Sequence, residues 1–122
     1  MKLTHVCITT SQVQNLVAFY EKVLQIKPDV AGPNYAEFAT ESGCLAVFSV
    51  TEHNKLAPDS ADSAANRSVL IEFRVDDVHV EYDRLRELEI EWVRPPTTQP
   101  WGNCSIYFRD PDGNLVNFYS RQ

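Results

Sequence analysis

The chain has 122 residues, is 43% hydrophobic and carries a formal net charge of −6. That length makes one domain, or two small modules sharing a core. The acidic balance argues against a nucleic-acid binder, which needs a basic face to replace counterions. It suits a small cationic ligand, although mild acidity also serves solubility alone. No apolar run reaches membrane-spanning length and no signal-peptide core stands at the start, so no membrane partner and a cytoplasmic location are expected. The three cysteines, Cys7, Cys44 and Cys104, lack CxxC spacing and are expected to be buried, reduced thiols.

In chain order, Leu3 to Thr10 is rich in β-branched and apolar residues and predicts a strand. Ser11 is a candidate N-cap for a helix over residues 12–24, in which Val13, Leu16, Val17, Tyr20, Val23 and Leu24 keep helical spacing. Pro28 bars its continuation. Strands are expected near Tyr35–Ala39 and Cys44–Val50. From Thr51 to Asn66 the composition turns to Ser, Ala, Asp, Asn and Pro without periodicity, which predicts a connector or flap. The programme then restarts. Ser68–Val75 predicts a strand, and Asp76-Asp77 caps a helix striped by Val78, Tyr82, Leu85 and Leu88. Ile90–Val93 is a short strand that Pro95-Pro96 interrupts. Ser105–Phe108 and Leu115–Tyr119 flank Arg109-Asp110-Pro111-Asp112-Gly113-Asn114, a hairpin with its turn. In that turn Asp110 and Asp112 are expected to cap their own backbone, and Gly113 to meet a backbone requirement. The expected organisation is one domain, 1–122, built as a module 1–50, a connector 51–66 and a module 67–122.

Each half reads strand, helix, then about three strands. Shifting the first half by 65 residues lays His5 on Leu70 and Val13 on Val78. A second match lays Gly43-Cys44-Leu45 on Gly113-Asn114-Leu115.

His5 in the first strand, Phe19-Tyr20-Glu21-Lys22-Val23-Leu24 closing the first helix, and Asp110-Pro111-Asp112-Gly113-Asn114 before the last strand resemble the vicinal oxygen chelate superfamily. That superfamily includes glyoxalase I, extradiol dioxygenases and bleomycin-resistance proteins. The resemblance spans the whole chain and implies an α+β fold, with two βαβββ modules forming a curved mixed sheet around a cleft. It also implies a homodimer. Fold alone does not fix activity, because function lives in the site.

Superfamily enzymes hold a divalent metal on His and Glu side chains, leaving positions open for substrate. The resemblance puts His5 on the first ligand position, aliphatic Leu70 on the second and Asn117 on the last-strand position. The remaining position falls on Val47, or on Phe48 if the register slips by one. Glu37 and Glu72 are nearby alternatives. This set does not make the superfamily's centre, so no metal and no cofactor are expected.

The resemblance is then closest to the metal-free, bleomycin-resistance-like branch, which implies a protein that sequesters a small cationic, aromatic molecule, with tolerance of a toxic compound as one outcome. Gln99-Pro100-Trp101-Gly102 carries that pattern and puts Trp101 on a loop where its ring can stack on a ligand. The candidate ligand-binding residues are His5, Tyr35, Phe48, Trp92, Trp101, Tyr107 and Asn117, with Phe38 a further wall candidate. Phe38, Phe48 and Phe118 equally suit a core. The alternative is a lyase, isomerase or dioxygenase of the same superfamily using non-standard ligands.

Overall fold

A computed structural model describes residues 1–121. They form two compact units, Met1–Ala65 and a second from Asn66 onward. The first contains β1 (His5–Thr10), α1 (Val13–Leu24), β2 (Val30–Ala31), β3 (Tyr35–Ala39), β4 (Cys44–Ser49) and α2 (Val50–Leu56). The second contains β5 (Leu70–Arg74), α3 (Val78–Leu85), β6 (Glu91–Thr98), β7 (Asn103–Arg109) and β8 (Leu115–Arg121). Each unit holds a four-stranded mixed sheet, ordered β1-β4-β3-β2 in the first and β5-β8-β7-β6 in the second. In both, the opening strand runs parallel to the closing one and the remaining neighbours are antiparallel. The expected α+β architecture of repeated modules is present.

In the first unit, Leu16, Val17, Tyr20 and Val23 line the buried stripe of α1. They cover the sheet face that carries Ala36, Phe38, Leu45 and Val47, all buried. Tyr20 and Phe38 meet with ring centroids 6.3 Å apart. In the second unit α3 covers the face formed by Cys104, Ile106, Phe108, Val116 and Phe118. Phe108 and Phe118 pack edge to face at 5.3 Å. Phe38 and Phe118 are therefore core residues, and Phe38 is not a wall residue. Strand side chains alternate between faces, so neither α1 nor α3 covers the opposite face of its sheet, which in the first unit α2 meets through His53 against Phe48.

Several local expectations change. Helix α1 is preceded by Gln12, not Ser11, at the N-cap position. Ser11 is engaged elsewhere, its N–H donating to Ser63 Oγ at 2.9 Å, while the Gln12 N–H is taken by Thr10 Oγ1 at 3.0 Å. The helix ends at Gln25, whose left-handed backbone (φ 56°) lets its N–H reach Glu21 O. The segment expected to be a connector opens with α2. Ser49 caps it by accepting from the Glu52 N–H at 3.2 Å, the first half of a Ser-x-x-Glu capping box. Asn54 then binds the Ala61 backbone through both ends of its amide. Two-residue β2 had no sequence signal. Strand β6 runs straight through Pro95-Pro96, because it is an edge strand and register shifts on both sides of Arg94 absorb the missing donors. The expectation of three buried thiols fails at Cys7, which is exposed on the uncovered face, whereas Cys104 is buried.

The β7–β8 turn behaves as expected at Asp110 and Gly113. Asp110, 5% exposed, accepts at Oδ1 from the backbone N–H groups of Asp112 and Asn114, each at 2.9 Å, and at Oδ2 from Asn114 Nδ2 at 2.8 Å. Gly113 supplies the positive φ of 85° that the turn requires. Asp77 caps α3 through the His79 N–H at 2.9 Å. Replacing Asp110 with Ala strands two buried backbone donors and is expected to destabilise the fold by about 3 kcal/mol. Urea unfolding checks this through a lower midpoint at unchanged slope. A loss below about 0.5 kcal/mol, the range of ordinary surface substitutions, would show that the turn does not depend on this carboxylate.

Candidate functional site

Strand register decides which side chains share an uncovered face. In the second unit Glu72 pairs with Asn117, Tyr107 with Asn117, and Ser105 with Tyr119. With Trp101 and Asn103 these residues line a concavity of ≈ 340 Å³. Its floor is polar. Asn117 is 3% exposed and its Nδ2 donates to Glu72 Oε2 at 2.8 Å. Its other side-chain atom, Oδ1, is buried and accepts no hydrogen bond from the described residues. Such an acceptor loses its hydration without gaining a partner, which costs about 1–3 kcal/mol unless a donor arrives.

Trp101 lines this concavity from a tight turn, where Gly102 N–H donates to Gln99 O at 2.9 Å and Gln99 N–H to Asn103 O at 2.7 Å. Trp101 is 71% exposed, an unusual state for the largest apolar residue. Tyr107 and Tyr119 complete the aromatic wall. Of the residues expected from sequence, Trp101, Tyr107 and Asn117 are brought together here. Glu72, Tyr119, Ser105 and Asn103 join them. The sequence offers Glu72 only as a substitute metal ligand; its place beside Asn117 follows from the β5–β8 register.

Trp92 is not on this surface. It lies on the helix-covered face, edge to face with Tyr82 of α3 at 5.0 Å and with Phe108 at 5.5 Å. Its partner across the β6–β7 ladder is Phe108, so it shares the core side of the sheet.

His5, Tyr35 and Phe48 belong to the first unit and share its uncovered face. Phe48 packs edge to face with Tyr35 at 5.6 Å and with His53 at 6.2 Å. His5 Nε2 is hydrogen-bonded to Glu37 Oε1, and its Nδ1 lies 2.9 Å from Thr4 Oγ1. A carboxylate only accepts, so Nε2 donates to Glu37. Partial burial of the Tyr35 phenol raises its pKa, and the neighbouring Glu37 charge raises it further. Desolvation likewise holds the Cys7 thiol up, which disfavours the nucleophilic thiolate.

The register also revises the repeat. His5 pairs with Cys44 and Leu70 with Leu115. Laying His5 on Leu70 therefore lays Cys44 on Leu115 and Ala46 on Asn117. The counterpart of Asn117 is Ala46, not Val47 or Phe48. The glycine-led match is one residue out of step, enough to put buried Val47 on the wrong face.

The profile of the Glyoxalase/Bleomycin resistance protein/Dioxygenase superfamily matches residues 2–118. The chain belongs to that superfamily. Among curated members, the uncharacterised protein YraH of Bacillus subtilis is 28% identical over 126 residues, covering 98% of each chain. The metallothiol transferase FosB of Lysinibacillus sphaericus is 25% identical over 118 residues, covering 97% of this chain and 81% of its own. Among solved structures, a conserved domain protein superposes with TM-score 0.85 at 31% identity over the full length of both chains. A superfamily member from Nocardioides gives TM-score 0.81 at 25% identity, covering 99% of this chain and 83% of its own.

The residues present do not fit the superfamily's metal centre as the resemblance lays it out. Leu70 has no donor atom, Ala46 has none, and Asn117 offers a neutral amide whose nitrogen is committed to Glu72.

Replacing Glu37 with Gln removes the charge that disfavours the Tyr35 phenolate, so Tyr35 is expected to titrate at lower pH. Ultraviolet pH titration, with Tyr35→Phe identifying the transition, checks this. An unmoved transition would show that the Glu37 charge does not contribute.

Proposed function

We propose that this superfamily member binds a small cationic, aromatic molecule and does so without the superfamily's shared metal centre. The buried, unpartnered Asn117 carbonyl oxygen carries the reading. It belongs to the side chain whose Nδ2 donates to the Glu72 carboxylate, in a concavity that Trp101, Tyr107 and Tyr119 also line. A ligand N–H would satisfy that oxygen, Glu72 would balance its positive charge, and the rings would stack on its plane. The volume lies at the lower end of small-molecule sites. Sequestration of a toxic compound follows naturally for a protein whose site offers recognition groups without an assembled reaction centre. A metal-dependent transferase, lyase or dioxygenase would require donors that Leu70 and Ala46 do not supply.

Titration with a planar aromatic cation, such as an acridinium dye, while following tryptophan fluorescence tests this. Saturable quenching is expected, and Trp101→Ala and Glu72→Gln are each expected to weaken binding about tenfold, the loss of roughly 1.4 kcal/mol from a stacking or charge contact. Unchanged affinity in both variants would contradict the assignment.

A further inference from the structure

The floor of the concavity in the second unit presents two hydrogen-bond acceptors held at short range. Asn117 Nδ2 donates to Glu72 Oε2 at 2.8 Å, while Asn117 Oδ1 is buried and accepts nothing from the described residues. An amide keeps its oxygen about 2.3 Å from its nitrogen, so Oδ1 lies no more than about 5 Å from the Glu72 oxygen. The two residues face each other on paired strands, which hold a site more firmly than loops do. Among the described residues no Lys or Arg forms an ion pair with Glu72, so its charge is left for a ligand.

We propose, given the flat-cation binding assigned to this unit, that the site selects cations whose charge is shared by a primary amino group on the ring. Amidinium and aminoazinium ions are of this class. A planar amino group directs two N–H bonds about 120° apart, and with N–H···O distances of about 2.9 Å its two acceptors stand about 5 Å apart. The Asn117–Glu72 pair can offer that spacing. One N–H then satisfies Asn117 Oδ1, and the other makes a charge-assisted bond to Glu72.

Other cations serve the pair less well. A lone ring N–H is one donor for two acceptors. A quaternary or dialkylated nitrogen brings none, so the bound ligand seals Asn117 Oδ1 away from any donor. An aliphatic ammonium has the donors but no plane for Trp101, Tyr107 and Tyr119 to stack on. The specificity belongs to this unit alone, because strand pairing puts Cys7 and Ala46 of the first unit at the places of Glu72 and Asn117.

Proflavine and acridine orange test the selection. Both are planar acridinium monocations near neutral pH; the first carries primary amino groups where the second carries dimethylamino groups. Calorimetric titration of the full chain is expected to show proflavine binding at least about tenfold more tightly. Asn117→Leu should bring the two affinities to within about twofold by weakening proflavine, because the buried acceptor is gone. Trp101→Ala should weaken both dyes alike, since stacking does not depend on the amino group. Circular dichroism checks folding. If Asn117→Leu does not fold, the wild-type protein decides through the Asn117 side-chain amide ¹⁵N signal, which should shift more with proflavine than with acridine orange. Equal wild-type affinities, or a preference that survives Asn117→Leu, would overturn the selection and leave flat-cation binding standing. Binding of neither dye would overturn both.

Discussion

The structure depends on one constraint: each strand places alternate side chains on opposite faces, and in each unit one helix covers only one of them. In the first unit α1 takes the face carrying Ala36, Phe38, Leu45 and Val47. In the second α3 takes the face carrying Ile106, Phe108, Val116 and Phe118. Everything chemically expressive stands on the remaining faces. His5, Glu37 and Cys44 share one, while Glu72, Tyr107, Asn117 and Tyr119 share the other. The parallel β1–β4 and β5–β8 pairings then decide which of these residues meet, because a slip of one residue would turn a donor into core.

Within this frame the two repeats have diverged in a complementary way. Ala46 in the first unit corresponds to Asn117 in the second, and Glu37 corresponds to Tyr107, by the same strand pairings. Where the middle strand carries a methyl group, flanking side chains cross and meet. Where it carries an amide, Glu72 is captured by hydrogen bonding and a floor forms under aromatic walls. One backbone plan thus supports a compact cluster of donors in one unit and a concave surface in the other. Superfamily membership supplies the plan, and single side chains at register positions set the chemistry.

Much of the fold was legible in the sequence. The 3.6-residue spacing of Leu16, Tyr20 and Val23 declared α1, and Asp110-Pro111-Asp112-Gly113-Asn114 declared the last turn through residues that bond their own backbone. Helix α2 was missed because a helix of 7 residues with no buried position shows no periodicity. Its Ser49-x-x-Glu52 cap was the available signal. Pro95-Pro96 misled because edge position, which tolerates proline, is a property of sheet order that no local window contains. The site was half legible. Trp101 announced itself by its loop context, but Trp92 has the same chemistry and lies under α3. The Glu72–Asn117 pair is separated by 45 residues and the His5–Glu37 pair by 32, so only register brings either together.

The central claim is that ligand binds over the Asn117 floor of the second unit, and Trp92 provides an internal control for it. Two-dimensional ¹H–¹⁵N NMR of the full chain, recorded with and without a planar aromatic cation, separates the two indole N–H signals and the Asn117 side-chain amide. The account predicts that the Trp101 indole and the Asn117 amide shift together while the Trp92 indole stays in place. Movement of the Trp92 indole with Trp101 and Asn117 unmoved would contradict it.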